Sequence, residues 1–332
     1  MKESEKMSLK ITELPVSEKN YEEEMKNKVE PYLASLREDI YFKSWDDRSI
    51  HCEQYIIPNA VGSVVIVHGF TESAEKFREM TYSFILMGYN VFALDNRGHG
   101  KSYRKNPDKF ETVTVDNFDE YIFDLNFLIE TKVKPAVGDS PLYIYAHSMG
   151  GAIAVQYLQK YPGVFKKAVL SAPMILANSG PLSPGLTLSV MRTMCLLGKK
   201  DEMVFIHKGF NPERTWEQSH DTSKARFEYY HQKRIQNTLL QTSGASYSWV
   251  REAMKVAKKN LDPERCKKIE IPVLLCQPEE DSSVISEKED EFISLVQNGR
   301  LEKFYNCKHE IYASVDETLL IYLQTIEAFL KE

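Results

Sequence analysis

The sequence predicts an α/β protein: a mostly parallel central sheet flanked by helices, broken once by a helical insertion. Three observations predict it. Short, continuous β-branched runs alternate with longer amphipathic stretches from Ser63 to Leu170, as in strands buried on both faces and joined by crossover helices. The alternation stops after Pro173 and resumes at Pro272. One strand runs directly into a helix at Tyr143–Ala154 (YIYAHSMGGAIA), with a serine at the junction.

The elements follow in chain order. The first 37 residues are rich in charge and read as a helical N-terminal extension. Asp39–Ser44 and Ser49–Ile57 alternate apolar and polar residues around Asp46-Asp47-Arg48, a hairpin pattern. Ser63–Val67 (SVVIV) is a buried strand ending at His68-Gly69, and a helix over Ser73–Met87 closes at Gly88. Asn90–Leu94 is the next strand, ending at Asp95, and a helix follows over Asp116–Lys132. Pro141–Tyr145, the helix Met149–Lys160 and the strand Lys167–Leu170 complete the first run. Met174–Cys266 is mostly helical and rich in Met, Tyr and Trp. Pro272–Cys276 resumes the strands, followed by a helix over Ser286–Gln297, a strand over Leu301–Tyr305 and a closing helix over Val315–Leu330. The expected organisation is therefore an extension over 1–37, a first core segment over 38–173, a helical cap over 174–266 inserted after the fourth buried strand, and a second core segment over 267–332.

Composition narrows the function. Of the 332 residues, 42% are hydrophobic and 27% charged, with a net charge of −6. A mildly acidic chain lacks the basic stripe of a nucleic-acid partner. The pairs Lys199-Lys200, Lys258-Lys259 and Lys267-Lys268 read as solvated surface, with anionic lipid as the other reading. The charged N-terminus has no signal-peptide apolar core. No apolar run reaches the roughly 20 residues of a spanning helix. The expectation is a cytoplasmic chain, at most peripheral to the inner face of the membrane. The five cysteines are scattered without a C-x-x-C pair, which points to reduced thiols and no zinc ribbon.

The chemistry concentrates at Ser148. A serine on a sharp strand-to-helix turn is lifted above the carboxyl ends of the strands. The residues two before and two after it need to be small, and they are Ala146 and Gly150. The new helix aims its free N–H groups and positive dipole end at a developing oxyanion, with the N–H of Met149 as the first donor. The second donor comes from the loop after Ser63–Val67, where Gly69 frees the backbone and the N–H of Phe70 faces the serine.

A hydroxyl needs a base, and in this arrangement acid and then histidine follow the serine in the chain. Of the eight histidines, His51, His68 and His99 precede Ser148, His147 adjoins it, and His207, His220 and His231 lie in the insertion. His309 remains, in the loop after the last strand. The acid lies after Pro272–Cys276, where Glu279, Glu280 and Asp281 compete. Asp281 suits a short reach to the imidazole best, with Glu280 next. Two other patterns fail on inspection. Asp95–Ser102 ends like a phosphate loop but has Asp95 where a glycine is needed, and His309-Glu310 has no second histidine in register.

At this point the chain resembles a family. VVIVHGFTES, GYNVFALDNRGHGKS, YIYAHSMGGAIA, QPEEDSSV, CKHEIY and, in the insertion, GASYSWVREAM resemble the PldB-type lysophospholipases and the monoacylglycerol lipases, serine hydrolases of the α/β-hydrolase fold. The resemblance covers residues 37–330. It implies Ser148, Asp281 and His309 as a catalytic triad, Phe70 and Met149 as oxyanion donors, and no metal or organic cofactor. The expected activity is hydrolysis of a carboxylic ester in a lysophospholipid or monoacylglycerol, through an acyl-enzyme. The alternatives are a general carboxylesterase or acyltransferase on the same triad, or a non-catalytic binding protein of the same fold. The expected partner is a small lipid ester, with transient contact at a membrane surface.

Overall fold

Continuous apolar strands need cover on both faces, and the computed structural model, which describes residues 11–332, supplies it. Residues 1–10 of the predicted extension lie outside the described residues. The chain begins with α1 (Tyr21–Glu24), a π-helical turn (Met25–Val29) and α2 (Glu30–Leu36). β1 (Arg37–Lys43) and β2 (Ser49–Tyr55) pair antiparallel as a hairpin. There follow β3 (Gly62–Val67), α3 (Arg78–Leu86), β4 (Tyr89–Leu94), the two-residue β5 (Thr112–Val113), α4 (Asp119–Leu128), α5 (Lys134–Val137), β6 (Leu142–His147), α6 (Met149–Lys160) and β7 (Lys167–Ser171). The next stretch holds α7 (Pro184–Met194), α8 (Lys224–Gln236), β8 (Gly244–Ala245), α9 (Tyr247–Ala253), α10 (Val256–Asn260) and α11 (Pro263–Cys266). The chain closes with β9 (Val273–Pro278), α12 (Ser286–Leu295), β10 (Gly299–Phe304) and α13 (Asp316–Lys331).

The eight-stranded sheet has the order β1-β2-β4-β3-β6-β7-β9-β10. From β4 to β10 every pairing is parallel. All carboxyl ends in that run therefore open on one edge, and the loops after β3, β6, β9 and β10 meet there. Side-chain alternation splits each central strand between two cores. Val65, Val67, Phe92, Leu94, Ile144 and Ala146 face one side, with residues of α4 and α6. Val64, Ile66, Val91, Ala93 and Tyr145 face the other, with residues of α3 and α13. Burying an aliphatic side chain of this size contributes about 1.5–3 kcal/mol, which is why unbroken apolar runs become the middle of the sheet.

Two features differ from the sequence reading. The N-terminal segment is no appendage: Tyr21, Met25, Val29 and Leu33 are buried in the second core. Their four-residue spacing exceeds the 3.6 of an α-helix, and the wider π turn at Met25–Val29 keeps the stripe in phase. In the insertion, α10 and α11 lie on α6, where Gln156 donates to the Asn260 side chain at 3.1 Å and Gln159 to the Lys259 carbonyl at 3.1 Å. These two helices belong to the layer that flanks the sheet. The remainder covers the carboxyl edge and is pinned there by the parallel bridge of β8 to β5.

Arg226, on α8, ties three of these parts together. Its guanidinium, with 3% of the side chain exposed, pairs with Glu79 of α3 at 2.9 Å and Asp316 of α13 at 3.1 Å. It also donates to the Val16 carbonyl at 3.1 Å. Removing one member of a buried pair strands the other. Arg226→Met is expected to lower unfolding stability by about 3 kcal/mol or more, read as a shift in the urea midpoint. A loss below about 1 kcal/mol would mean that the pair holds nothing together.

Candidate active site

β6 delivers Ser148 to the middle of the sheet, between β3 and β7. α6 begins at the next residue, so the chain turns within Ser148, at φ 51° and ψ −116°. Residues other than glycine avoid this region. Such a backbone costs of order 1–3 kcal/mol and persists only where its surroundings fix it. The Ser148 N–H donates to the Ser171 carbonyl at 3.0 Å, and the Ser148 carbonyl accepts from Met174 at 2.8 Å and Ala152 at 3.2 Å. Close approach explains the glycine two residues on: a Cβ at Gly150 would sit 2.1 Å from the Val67 carbonyl oxygen.

His309 reaches this hydroxyl from the loop between β10 and α13. Its Nε2 lies 2.8 Å from Ser148 Oγ, and its Nδ1 lies 2.6 Å from Asp281 Oδ2. A carboxylate at Nδ1 sets the tautomer: Nδ1–H donates to Asp281, leaving Nε2 to accept from the serine. Asp281 is itself oriented, since its Oδ1 accepts from the amides of Ser283 at 2.7 Å and Val284 at 3.0 Å. Burial pushes the Asp281 carboxyl up, but the hydrogen bond and charge of His309 and these two amides outweigh it and hold it below the usual carboxylate range. The competing acids lie elsewhere. Glu279 accepts from the Asn306 amide at 3.0 Å, and both Glu279 and Glu280 are exposed.

The loop after β3 presses against the serine, where a Cβ on Gly69 would lie 3.1 Å from Ser148 Cβ. The amides on either side of Phe70 are occupied: Gly69 N–H donates to Glu72 Oε2 at 2.6 Å, and Thr71 N–H to His99 Nε2 at 3.2 Å. The amides of Phe70 and Met149 meet no acceptor among the described residues. They are the amides left free beside the serine.

Glu72 escaped the sequence reading. Its buried carboxylate clamps Gly69, accepts from the Tyr312 hydroxyl, and pairs with Lys76 at 3.2 Å. Lys76 in turn pairs with Glu310, the neighbour of His309. Burial pushes Glu72 up, but Lys76 and His147 pull it net below its usual range. A carboxylate three residues after the glycine in His68-Gly-Phe-Thr-Glu72 was the available signal.

The other histidines have structural partners or line the cavity. His147 meets the Ser171 carbonyl through Nδ1 at 3.1 Å, with its ring centroid 4.8 Å from that of His309. Burial, aided by the charge of His309, brings its pKa down to about 4, so a neutral ring supports the site. His68 accepts from the Asn96 amide at 3.0 Å, and His51 sits between Asp95 and Asp39 at 2.7 Å from each. Asp95 thus braces the loop after β4, also accepting from the Ala74 amide at 2.8 Å. His231 meets the Pro212 carbonyl at 2.9 Å.

Above Ser148 lies a cavity of about 570 Å³ with mostly apolar walls. Met174, Met191, Val204, Trp249, Val250 and Met254 line it. All six come from the segment between β7 and β9, which therefore roofs the site. A carboxylate–imidazole–hydroxyl chain beside two free amides, under an apolar roof, has the parts for nucleophilic attack on an ester carbonyl.

The fold and this arrangement define an α/β-hydrolase. The chain is 19% identical to a soluble variant of monoglyceride lipase from Saccharomyces cerevisiae solved with a substrate analog, with a TM-score of 0.71 over 89% of this chain and 94% of that one. A thermostable carboxyl esterase from Bacillus coagulans gives 17% identity and a TM-score of 0.71 over 89% and 98%. At these identities the likeness speaks for the fold. Residues 58–316 match the model of the family described as serine aminopeptidase, S33, and the chain belongs to that family. It is 31% identical over 269 residues to the probable lysophospholipase L2 of Haemophilus influenzae, spanning 80% of this chain and 83% of that protein. It is also 31% identical over 115 residues to human monoglyceride lipase, 35% of this chain and 36% of that one. The protein is a carboxylic ester hydrolase.

Asp281→Asn keeps the shape but removes the acceptor charge at Nδ1. It is expected to lower kcat on a p-nitrophenyl ester about 10⁴-fold, while Glu280→Gln stays within about twofold of the parent. The reverse order would hand the acid role to Glu280.

Proposed function

We propose that the chain hydrolyses the carboxylic ester of a monoacyl lipid, a lysophospholipid or monoacylglycerol, through an acyl-enzyme on Ser148. The observation that carries the reading is the Asp281–His309–Ser148 chain lying under an apolar cavity. His309 Nε2 takes the proton as Ser148 Oγ attacks the carbonyl carbon. Asp281 holds the ring and balances the imidazolium. The amides of Phe70 and Met149 donate to the oxyanion, each contributing roughly 3 kcal/mol at the transition state. The intermediate then collapses, and the leaving alcohol takes the proton from His309. Water repeats the sequence on the acyl-enzyme and releases a fatty acid.

The cavity supports a long acyl chain. Its volume lies within the several hundred Å³ common for ligand sites, and its walls are apolar. The rim supports delivery from a lipid surface. Leu182, Phe205 and Ile206 line the mouth and are exposed. Leu196 and Leu197 stand out nearby, beside Lys199 and Lys200, with Leu196 88% exposed. Exposed apolar residues flanked by cations suit an anionic membrane surface. Among the described residues no helix is long and apolar enough to cross a membrane.

Ser148→Ala is expected to abolish fluorophosphonate labelling and to lower kcat about 10⁴-fold or more. With the parent enzyme, kcat/KM should rise from acetyl to long-chain acyl esters. Normal turnover in the variant would remove the mechanism, and a preference confined to acetyl esters would remove the lipid substrate.

A further inference from the structure

A second, polar chamber of about 260 Å³ adjoins the apolar cavity. The two share Phe70, Thr71, His207, His220 and Glu310 as walls, so the chamber opens beside the oxyanion loop. It lies between α8, α3 and the N-terminal segment. Six cationic side chains line it. Four of them are matched by a buried or half-buried carboxylate.

Arg234 and Arg214 are not. Arg234 donates from Nε to the Leu240 carbonyl at 3.0 Å and from Nη2 to the Thr242 carbonyl at 2.9 Å. Its Nη1 has no partner among the described residues, and no carboxylate pairs with it there. Burial, with the charge of Arg214, holds its pKa below the usual guanidinium range against the opposing pull of Tyr230, Glu310 and Glu72. Among the described residues Arg214 donates only to the Gln218 carbonyl, at 2.6 Å. The Ser243 hydroxyl, on the same wall, is buried without a hydrogen-bond partner among the described residues. A half-buried guanidinium with no carboxylate in contact is costly. Chains retain such groups where a ligand supplies the anion, and the planar guanidinium fork fits a phosphate.

We propose that this chamber is the head-group site and takes the anionic phosphodiester of a lysophospholipid, with Arg234 and Arg214 as its cationic ligands and the Ser243 hydroxyl as a neutral donor. The proposal rests on the reading of Ser148 as the nucleophile for a monoacyl lipid and selects one class of that lipid. The acyl chain lies in the apolar cavity, the ester carbonyl at Ser148, and the phosphodiester in the chamber. A monoacylglycerol fills the first two places and leaves the cations unmatched.

The test compares lysophosphatidylcholine with a monoacylglycerol of the same acyl chain, in micelles of one detergent, for the full chain and for Arg234→Met and Arg214→Met. The ratio of the two kcat/KM values is expected to fall about tenfold in either variant, mainly through KM, the loss expected for one charged hydrogen bond. Arg214 supports no backbone beyond its own turn, so its variant tests the idea even if Arg234→Met folds poorly. Glycerophosphocholine should compete with lysophosphatidylcholine where glycerol does not. A ratio unchanged in both variants would overturn the proposal. So would inorganic phosphate competing as strongly as glycerophosphocholine, which would make the chamber a free-anion site. Failure of the underlying reading looks different: short-ester turnover would survive Ser148→Ala, whatever the arginine variants do.

Discussion

The backbone at Ser148 is held where an L residue does not rest unaided, at φ 51° and ψ −116°. The site is arranged by the contacts that keep it there. The Val67 carbonyl comes so close to α6 that only glycine fits at position 150. The same contact brings the end of β3, and with it the loop carrying Phe70, against the serine. One steric constraint thus raises the hydroxyl, opens the first turn of a helix beside it, and sets the two free amides on one side. The parallel run of strands does the rest, because it brings the loops after β9 and β10 to the same edge.

Charge is handled in two ways around this turn. Close to the serine, Glu72, Lys76 and Glu310 are matched to one another. Glu72 ties the oxyanion loop to Tyr312 and Lys76, and Lys76 reaches Glu310 beside His309. The loop after β3 and the loop that carries His309 are thereby joined through one carboxylate and one ammonium. Buried pairs of this kind are costly to assemble and more costly to break, so they fix position well. Further out, the polar chamber keeps two arginines unmatched. Matched charge builds the site, and the unmatched arginines are where we propose that a ligand brings its own.

Much of this was legible before any coordinates. Strand runs such as SVVIV and NVFAL were readable because burial on both faces leaves no polar position to confuse the period. Ser148 was readable from a strand, a turn of small residues and a helix in immediate succession. His309 followed from chain order and from the roles the other seven histidines could not fill. Asp281 was harder to separate from Glu279 and Glu280, because the difference lies in direction. The structure turns Asp281 inward onto two amides and an imidazole and leaves the glutamates in solvent. Glu72 was missed because Tyr312, and Glu310 reached through Lys76, come from a distant part of the chain. The burial of the N-terminal segment was missed because the charged residues around Tyr21, Met25, Val29 and Leu33 hide a narrow apolar stripe.

The central claim concerns where an acyl group and its oxyanion sit. A crystal structure of the chain inactivated by a long-chain alkylphosphonate tests it most directly. The account predicts phosphorus bonded to Ser148 Oγ, a phosphonyl oxygen about 2.7–3.1 Å from the amide nitrogens of Phe70 and Met149, and the alkyl chain in the apolar cavity. Phosphorus on any other residue, or a phosphonyl oxygen turned away from both amides, would contradict it.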